Sequence, residues 1–173
     1  MPLSFDSEYD LKSYIMKNFH DIDILEEYCF VLCELRLNGY GVPDLIFVRV
    51  DTMVKTIDFM HVELKNVTMH PKDFAQLLKQ REGVKRLHKE TLNRYGWENG
   101  SALSMLLTKN DEGHIPSECY CLDSVDGANW YTFDFDSGGS MVLDRISNMW
   151  SCLMPKNQKM LFEWCDKFVM GEE

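Results

Sequence analysis

Asp44, Glu63 and Lys65 are the residues whose types and spacing could do chemistry. Asp44 follows Pro43 at the head of one apolar run, LIFVRV; Glu63 and Lys65 flank Leu64 near the end of a second, TIDFMHVELKN. Successive side chains of a strand alternate faces, so His61, Glu63 and Lys65 share one face while Met60, Val62 and Leu64 share the other. If the two runs pair antiparallel, the start of one meets the end of the other, and Asp44 and Glu63 converge with Lys65 beside them. Two converging carboxylates repel unless a cation lies between them. Mg²⁺ (or Mn²⁺) suits such a place, because it takes one or two carboxylates together with waters and a phosphate oxygen. The Leu64 backbone carbonyl is a further candidate ligand. Lys65 would then orient or help deprotonate an attacking water, or stabilise charge developing on phosphorus. That is equipment for metal-assisted hydrolysis of a phosphodiester.

The elements that must position these residues are legible around them. Ser7 is a candidate N-cap, and Leu11, Tyr14, Ile15 and Phe19 recur at helical spacing, which predicts a helix over about 7–18. YCFVLCELRL (28–37) reads as a strand that carries Glu34, and Asn38-Gly39-Tyr40-Gly41 as a turn. PDLIFVRV, the turn DTMVK and TIDFMHVELKN complete an antiparallel meander. Pro71 starts a long helix at which Gly83 marks a bend or a division. ALSMLLT and a segment over about 118–125 read as further strands, and NWYTFDFDSGG as a hairpin arm and its turn. Two helices, about 142–153 and 156–169, are expected on either side of Pro155. The order describes one α/β (α+β) domain over 1–173, with a mixed central sheet flanked by helices. Residues 109–173 add strands and a C-terminal helical extension.

Pro43-Asp44 followed by Glu63-Leu64-Lys65 resembles the PD-(D/E)XK signature of restriction-endonuclease-like nucleases. The resemblance spans roughly 7–108, and it implies an αβββαβ core, a Mg²⁺ site and cleavage of DNA, with RNA left open. Glu8 in the first helix stands where many members carry an additional metal-site Glu. Glu34, on the strand before the hairpin, is a second candidate ligand. Gln76 matches the Gln of the QxxxY motif found in some branches, although Gln80 stands where that motif has Tyr.

Taken alone, each residue has a plainer use: Asp44 at a strand entry, Glu63 and Lys65 on a solvated sheet face, Glu8 favoured by the helix dipole. The combination is what points to a site. Lys79, Arg81, Lys85, Arg86 and Lys89 follow on the next helix. Over 72–94 there are seven Lys/Arg against three Asp/Glu, so this stretch is a candidate phosphate-contact surface or else a solvated face. The whole chain carries a net charge of −10, which argues against general charge-driven nucleic-acid binding. It also keeps open a non-catalytic use of the same fold, as an inhibitor or assembly factor gripping a nucleic acid or a protein. No apolar run approaches the roughly 20 residues of a membrane span. The acidic N-terminal stretch does not read as a signal peptide, so a cytoplasmic protein with reduced cysteines is expected. Met160, Leu161, Trp164, Phe168 and Val169 form an apolar stripe for core packing or for a homodimer.

Overall fold

The computed structural model describes residues 5–66, 71–109, 119–120, 127–145, 154–155, 162 and 166. The Ser7 hydroxyl accepts the Asp10 N–H at 3.1 Å and starts helix α1 (Glu8–Asn18). Leu11 and Ile15, one turn apart, are fully buried and fix which side of α1 meets the sheet. A single 3₁₀ turn, Phe19–Asp21, follows.

Strands β1 (Phe30–Cys33), β2 (Leu45–Asp51) and β3 (Thr56–Lys65) form the expected antiparallel meander. At the β2–β3 turn the Asp51 carboxylate accepts the N–H groups of Met53 and Val54, and Lys55 takes a positive φ. Helix α2 (Pro71–Tyr95) then crosses to β4 (Ala102–Lys109), which lies parallel to β3. Strand β6 (Ala128–Phe135) is parallel to β4, and β7 (Met141–Arg145) returns antiparallel. The resulting six-stranded mixed sheet runs β1-β2-β3-β4-β6-β7. Between β4 and β6 in the chain lies β5 (Cys119–Tyr120), which pairs with β8 (Met154–Pro155) in a separate two-stranded ribbon.

Strand alternation divides the apolar residues between two layers. Leu45, Phe47, Met60, Val62 and Leu64 pack with Leu11 and Ile15 of α1. Ile46, Val48, Ile57 and Phe59 pack with Val84 and Leu92 of α2. One helix thus covers each face of the meander, an α+β architecture. No helix among the described residues is long and apolar enough to cross a membrane.

Three sequence expectations change. The first strand ends at Cys33, because Glu34 turns into the left-handed region at φ 53° and breaks the extended run. Gly83 does not divide α2, which runs unbroken through it. It makes room for Tyr40, whose Cβ would lie 2.5 Å from a Cβ at position 83. Residues from Val142 onward are not helical up to Arg145 but form β7. There burial alternates, and the Asp136–Ser140 turn folds the strand back on β6. The predicted strand over 118–125 is described only at Cys119–Tyr120. The predicted helix over 156–169 lies outside the described residues apart from Phe162 and Asp166, which are helical.

Gly83→Ala provides a test of the close approach to Tyr40. At an ordinary helical position Ala in place of Gly stabilises by about 1 kcal/mol. Here the intruding methyl meets the root of the Tyr40 side chain, which cannot swing away. A net loss of about 1–3 kcal/mol is expected from denaturant melts. A stabilised variant would contradict the packing.

Candidate active site

Extending the strand registers by one residue builds the site. Cys33 pairs with Leu45 and Leu45 with Val62, so the next row across the sheet is Glu34, Asp44, Glu63. The Glu34 N–H donates to the Asp44 carbonyl at 3.1 Å, which carries that row across the β1–β2 gap. Two further bonds lock the carboxylates in place. The Asp44 N–H donates to Glu63 Oε1 at 2.9 Å, and the Leu64 N–H donates to Asp44 Oδ2 at 2.8 Å. Each carboxylate therefore has one oxygen held by the main chain of the other's strand. The second oxygens, Asp44 Oδ1 and Glu63 Oε2, lie outside those two bonds.

Burial sets the electrostatics. Glu63 is only 4% exposed and Asp44 is half-buried. Desolvation, then the neighbouring Asp44 charge, pushes the Glu63 carboxyl from 4.5 up to about 8; the Asp44 N–H and the Lys65 charge pull the other way without prevailing. A carboxyl raised that far favours its protonated form at neutral pH.

Lys65 ends β3 half-buried, its Nζ 4.0 Å from Glu8 Oε1 in the first turn of α1. One turn further along α1, Lys12 Nζ donates to Glu34 Oε1 at 2.9 Å. Burial pulls the Lys12 ammonium down, but the bond to Glu34 and the fields of Asp44 and Cys33 outweigh it and raise its pKa. Glu8 and Lys12 are four apart on one helix face, and each reaches a residue of opposite charge beside the carboxylate pair. No motif points to Lys12. Its signal was that i+4 spacing from Glu8. Glu34 is redirected: from its left-handed position it meets Lys12 rather than completing a carboxylate trio.

The other candidate residues fall into place as follows. Leu64 contributes its N–H to Asp44. Gln76 is half-buried on α2 and makes no hydrogen bond among the described residues. Lys79, Lys85, Arg86 and Lys89 are exposed on α2; Lys85 lies 3.7 Å from Glu82, and the Arg86 guanidinium sits 5.3 Å over the Tyr40 ring. Arg81 departs from the expected phosphate contact. It is buried, and its Nη1 donates to the Ala102 carbonyl at 2.7 Å and to Ser104 Oγ at 3.3 Å, tying α2 to β4. The reason is a notch at Gly127, where a Cβ would stand 2.3 Å from Arg81 Nη2.

His61, on the Glu63 face, is fully buried. Its Nε2 lies 2.9 Å from Gln80 Oε1 and its Nδ1 3.0 Å from Ser104 Oγ. Desolvation lowers its pKa to about 4, with the Arg81 charge adding to the fall and the bond to Gln80 opposing it. The ring is therefore neutral at pH 7, with Nε2–H donating to Gln80 and Nδ1 accepting from Ser104.

Among the described residues no group of three or more His, Cys, Asp or Glu side chains is placed to hold a metal ion. The donor set that does converge is two carboxylates, the number that Mg²⁺ commonly takes from protein. Comparison of the chain with family models, with curated proteins and with solved structures finds no match.

Proposed function

We propose that the chain is a Mg²⁺- or Mn²⁺-dependent nuclease with a restriction-endonuclease-like core, hydrolysing phosphodiester bonds of DNA, with RNA left open as a substrate. The observation that carries this reading is the interlocked pair of half-buried Asp44, just before β2, and buried Glu63, near the end of β3, with Lys65 two residues on. Two adjacent carboxylates, one of them buried and costly to ionise without a counter-charge, make an oxygen-donor site for a divalent cation. The element order α1-β1-β2-β3-α2-β4, with β3 and β4 parallel, supports the same family reading.

A divalent cation held by Asp44 and Glu63 would supply Lewis-acid chemistry for phosphodiester hydrolysis. The protein does the rest. Main-chain N–H groups fix one oxygen of Asp44 and of Glu63, so the ligand pair is set before substrate arrives. Lys65 places an ammonium beside them, where it orients the attacking water or neutralises the phosphorane charge. Glu8 holds that ammonium from α1 and is a further candidate ligand. Gln76, in the first half of α2, is the candidate that the motif resemblance adds to the pair. Lys79, Lys85, Arg86 and Lys89 present charge to the phosphate backbone along α2, positioning substrate without reading its sequence. A homodimer would place two such sites on one duplex and cut both strands.

The second reading is a non-catalytic grip on a nucleic acid or a basic protein partner, and the net charge of −10 favours it. The two readings separate in a cleavage panel of single-stranded, duplex, branched and RNA substrates with Mg²⁺, Mn²⁺ or chelator. Metal-dependent cleavage of at least one substrate is expected. A panel with no cleavage in either metal selects the binding module.

A further inference from the structure

We propose that Arg81, Ser104, His61 and Gln80 form a buried positioning chain that sets the register of α2 on β3 and so holds Gln76 over the Asp44–Glu63 pair. The inference rests on the metal-site reading above and adds residues that reading does not use.

Four polar side chains from α2, β3 and β4 are buried together. Their hydrogen bonds run in one direction. Arg81 Nη1 donates to Ser104 Oγ, Ser104 to His61 Nδ1, and His61 Nε2 to Gln80 Oε1. Burying such groups is costly unless every bond is made, and apolar side chains of similar volume would pack there without that cost. What the polar chain adds is a single permitted alignment.

That alignment can be read along both elements. Gln80 meets His61, and eight residues on, His88 Nε2 donates to the Ile57 carbonyl at 2.7 Å, four residues back along β3. Eight helical residues rise about 12 Å and four strand residues about 13 Å, so α2 runs antiparallel to β3 with one helical turn per two strand residues. Val84 and Phe59, in the same apolar cluster, occupy the step between. One turn the other way from Gln80 is Gln76, and the next residue on that face of β3 is Glu63. Gln76 is half-buried with its amide outside any hydrogen bond among the described residues, so its donors and its oxygen are available there. A slip of α2 by one turn would break both bonds and carry Gln76 off the pair.

Mn²⁺ is the probe, and its paramagnetic broadening of NMR signals is the readout. In the parent, Mn²⁺ is expected to broaden the Asp44 and Leu64 backbone amides and the Gln76 side-chain amide together. In Gln80→Leu the first two should broaden as before while Gln76 escapes. In the cleavage assay, Gln80→Leu should lower kcat by about 10–100-fold with KM and Mn²⁺ affinity little changed. Gln76→Ala should give the same loss, and the double variant no more than either. Ser104→Ala, a smaller change, should show the same pattern more weakly and serves if Gln80→Leu does not fold. Broadening of Gln76 that is unchanged in both variants overturns the proposal. So does parent broadening at Asp44 and Leu64 without Gln76, which leaves the metal site standing. No broadening at Asp44 or Leu64 removes the metal site and the positioning role together.

Discussion

In chelator, Glu63→Gln is expected to be more stable than the parent at pH 8 and close to it at pH 5. The Glu63 carboxyl titrates at about 8 in the folded chain, against 4.5 as an ordinary carboxyl, because burial and the Asp44 charge disfavour its ionised form. Between those values the unfolded chain has released its proton and the folded chain has kept it. The folded state then binds more protons, so stability falls as pH rises through that window. Below it both states are protonated and nothing is lost. The full penalty, on the order of 5 kcal/mol, is developed above pH 8. Gln carries no charge to bury; its oxygen still accepts the Asp44 N–H and its amide can donate to the Asp44 carboxylate. His61 contributes the opposite slope between about 4 and 6.5, since its folded pKa is depressed. The difference between parent and variant cancels that slope and isolates Glu63. Saturating Mg²⁺ should stabilise the parent, more at pH 8 than at pH 6, because the metal and the proton compete for one site. Glu63→Gln should show no Mg²⁺ response. Equal pH slopes in parent and variant would contradict the buried-pair account.

Lys65→Met is expected to separate metal binding from catalysis. Asp44→Asn and Glu63→Gln remove charged oxygens from the pair, so both should lose metal and cleavage together. Lys65 lies beside the pair without joining its hydrogen bonds, and its side chain is one quarter exposed. Losing that ammonium should lower kcat by about 10²–10³-fold, the usual worth of one group aimed at transition-state charge. Mn²⁺ affinity should hold or rise, since a positive neighbour has been removed. Lys65→Arg should restore the rate only in part, because a planar guanidinium keeps the charge but does not place it at the same point. Glu8→Gln should have a smaller effect, as Glu8 is half exposed and 4.0 Å from Lys65. A Lys65→Met protein that cleaves at the parental rate would remove Lys65 from the chemistry.

The convergence of Asp44 and Glu63 was legible because it depends only on strand alternation and a short hairpin, both written locally in 43–66. The helix starts at Ser7 and Pro71 were legible for the same reason. What escaped the sequence depends on contacts between distant segments. Arg81 looks like its basic neighbours until Gly127, forty-six residues away, opens a notch for it. His61 and Gln80 are ordinary polar residues until α2 docks on β3. Glu34 reads as a strand residue because nothing local announces its left-handed backbone. Val142 to Arg145 reads as the start of a helix from local sequence alone. The turn before it and pairing with β6 decide for the strand.

The most direct measurement is calorimetric titration of Mn²⁺ into the parent and into Glu63→Gln near pH 7, in two buffers of different ionisation enthalpy. The account expects the parent to bind Mn²⁺ at the Asp44–Glu63 pair and to release close to one proton as it does so, since Glu63 holds one there without metal. Glu63→Gln should bind far more weakly and release none. Mn²⁺ binding of equal strength in the two proteins, or no binding in the parent, would contradict it.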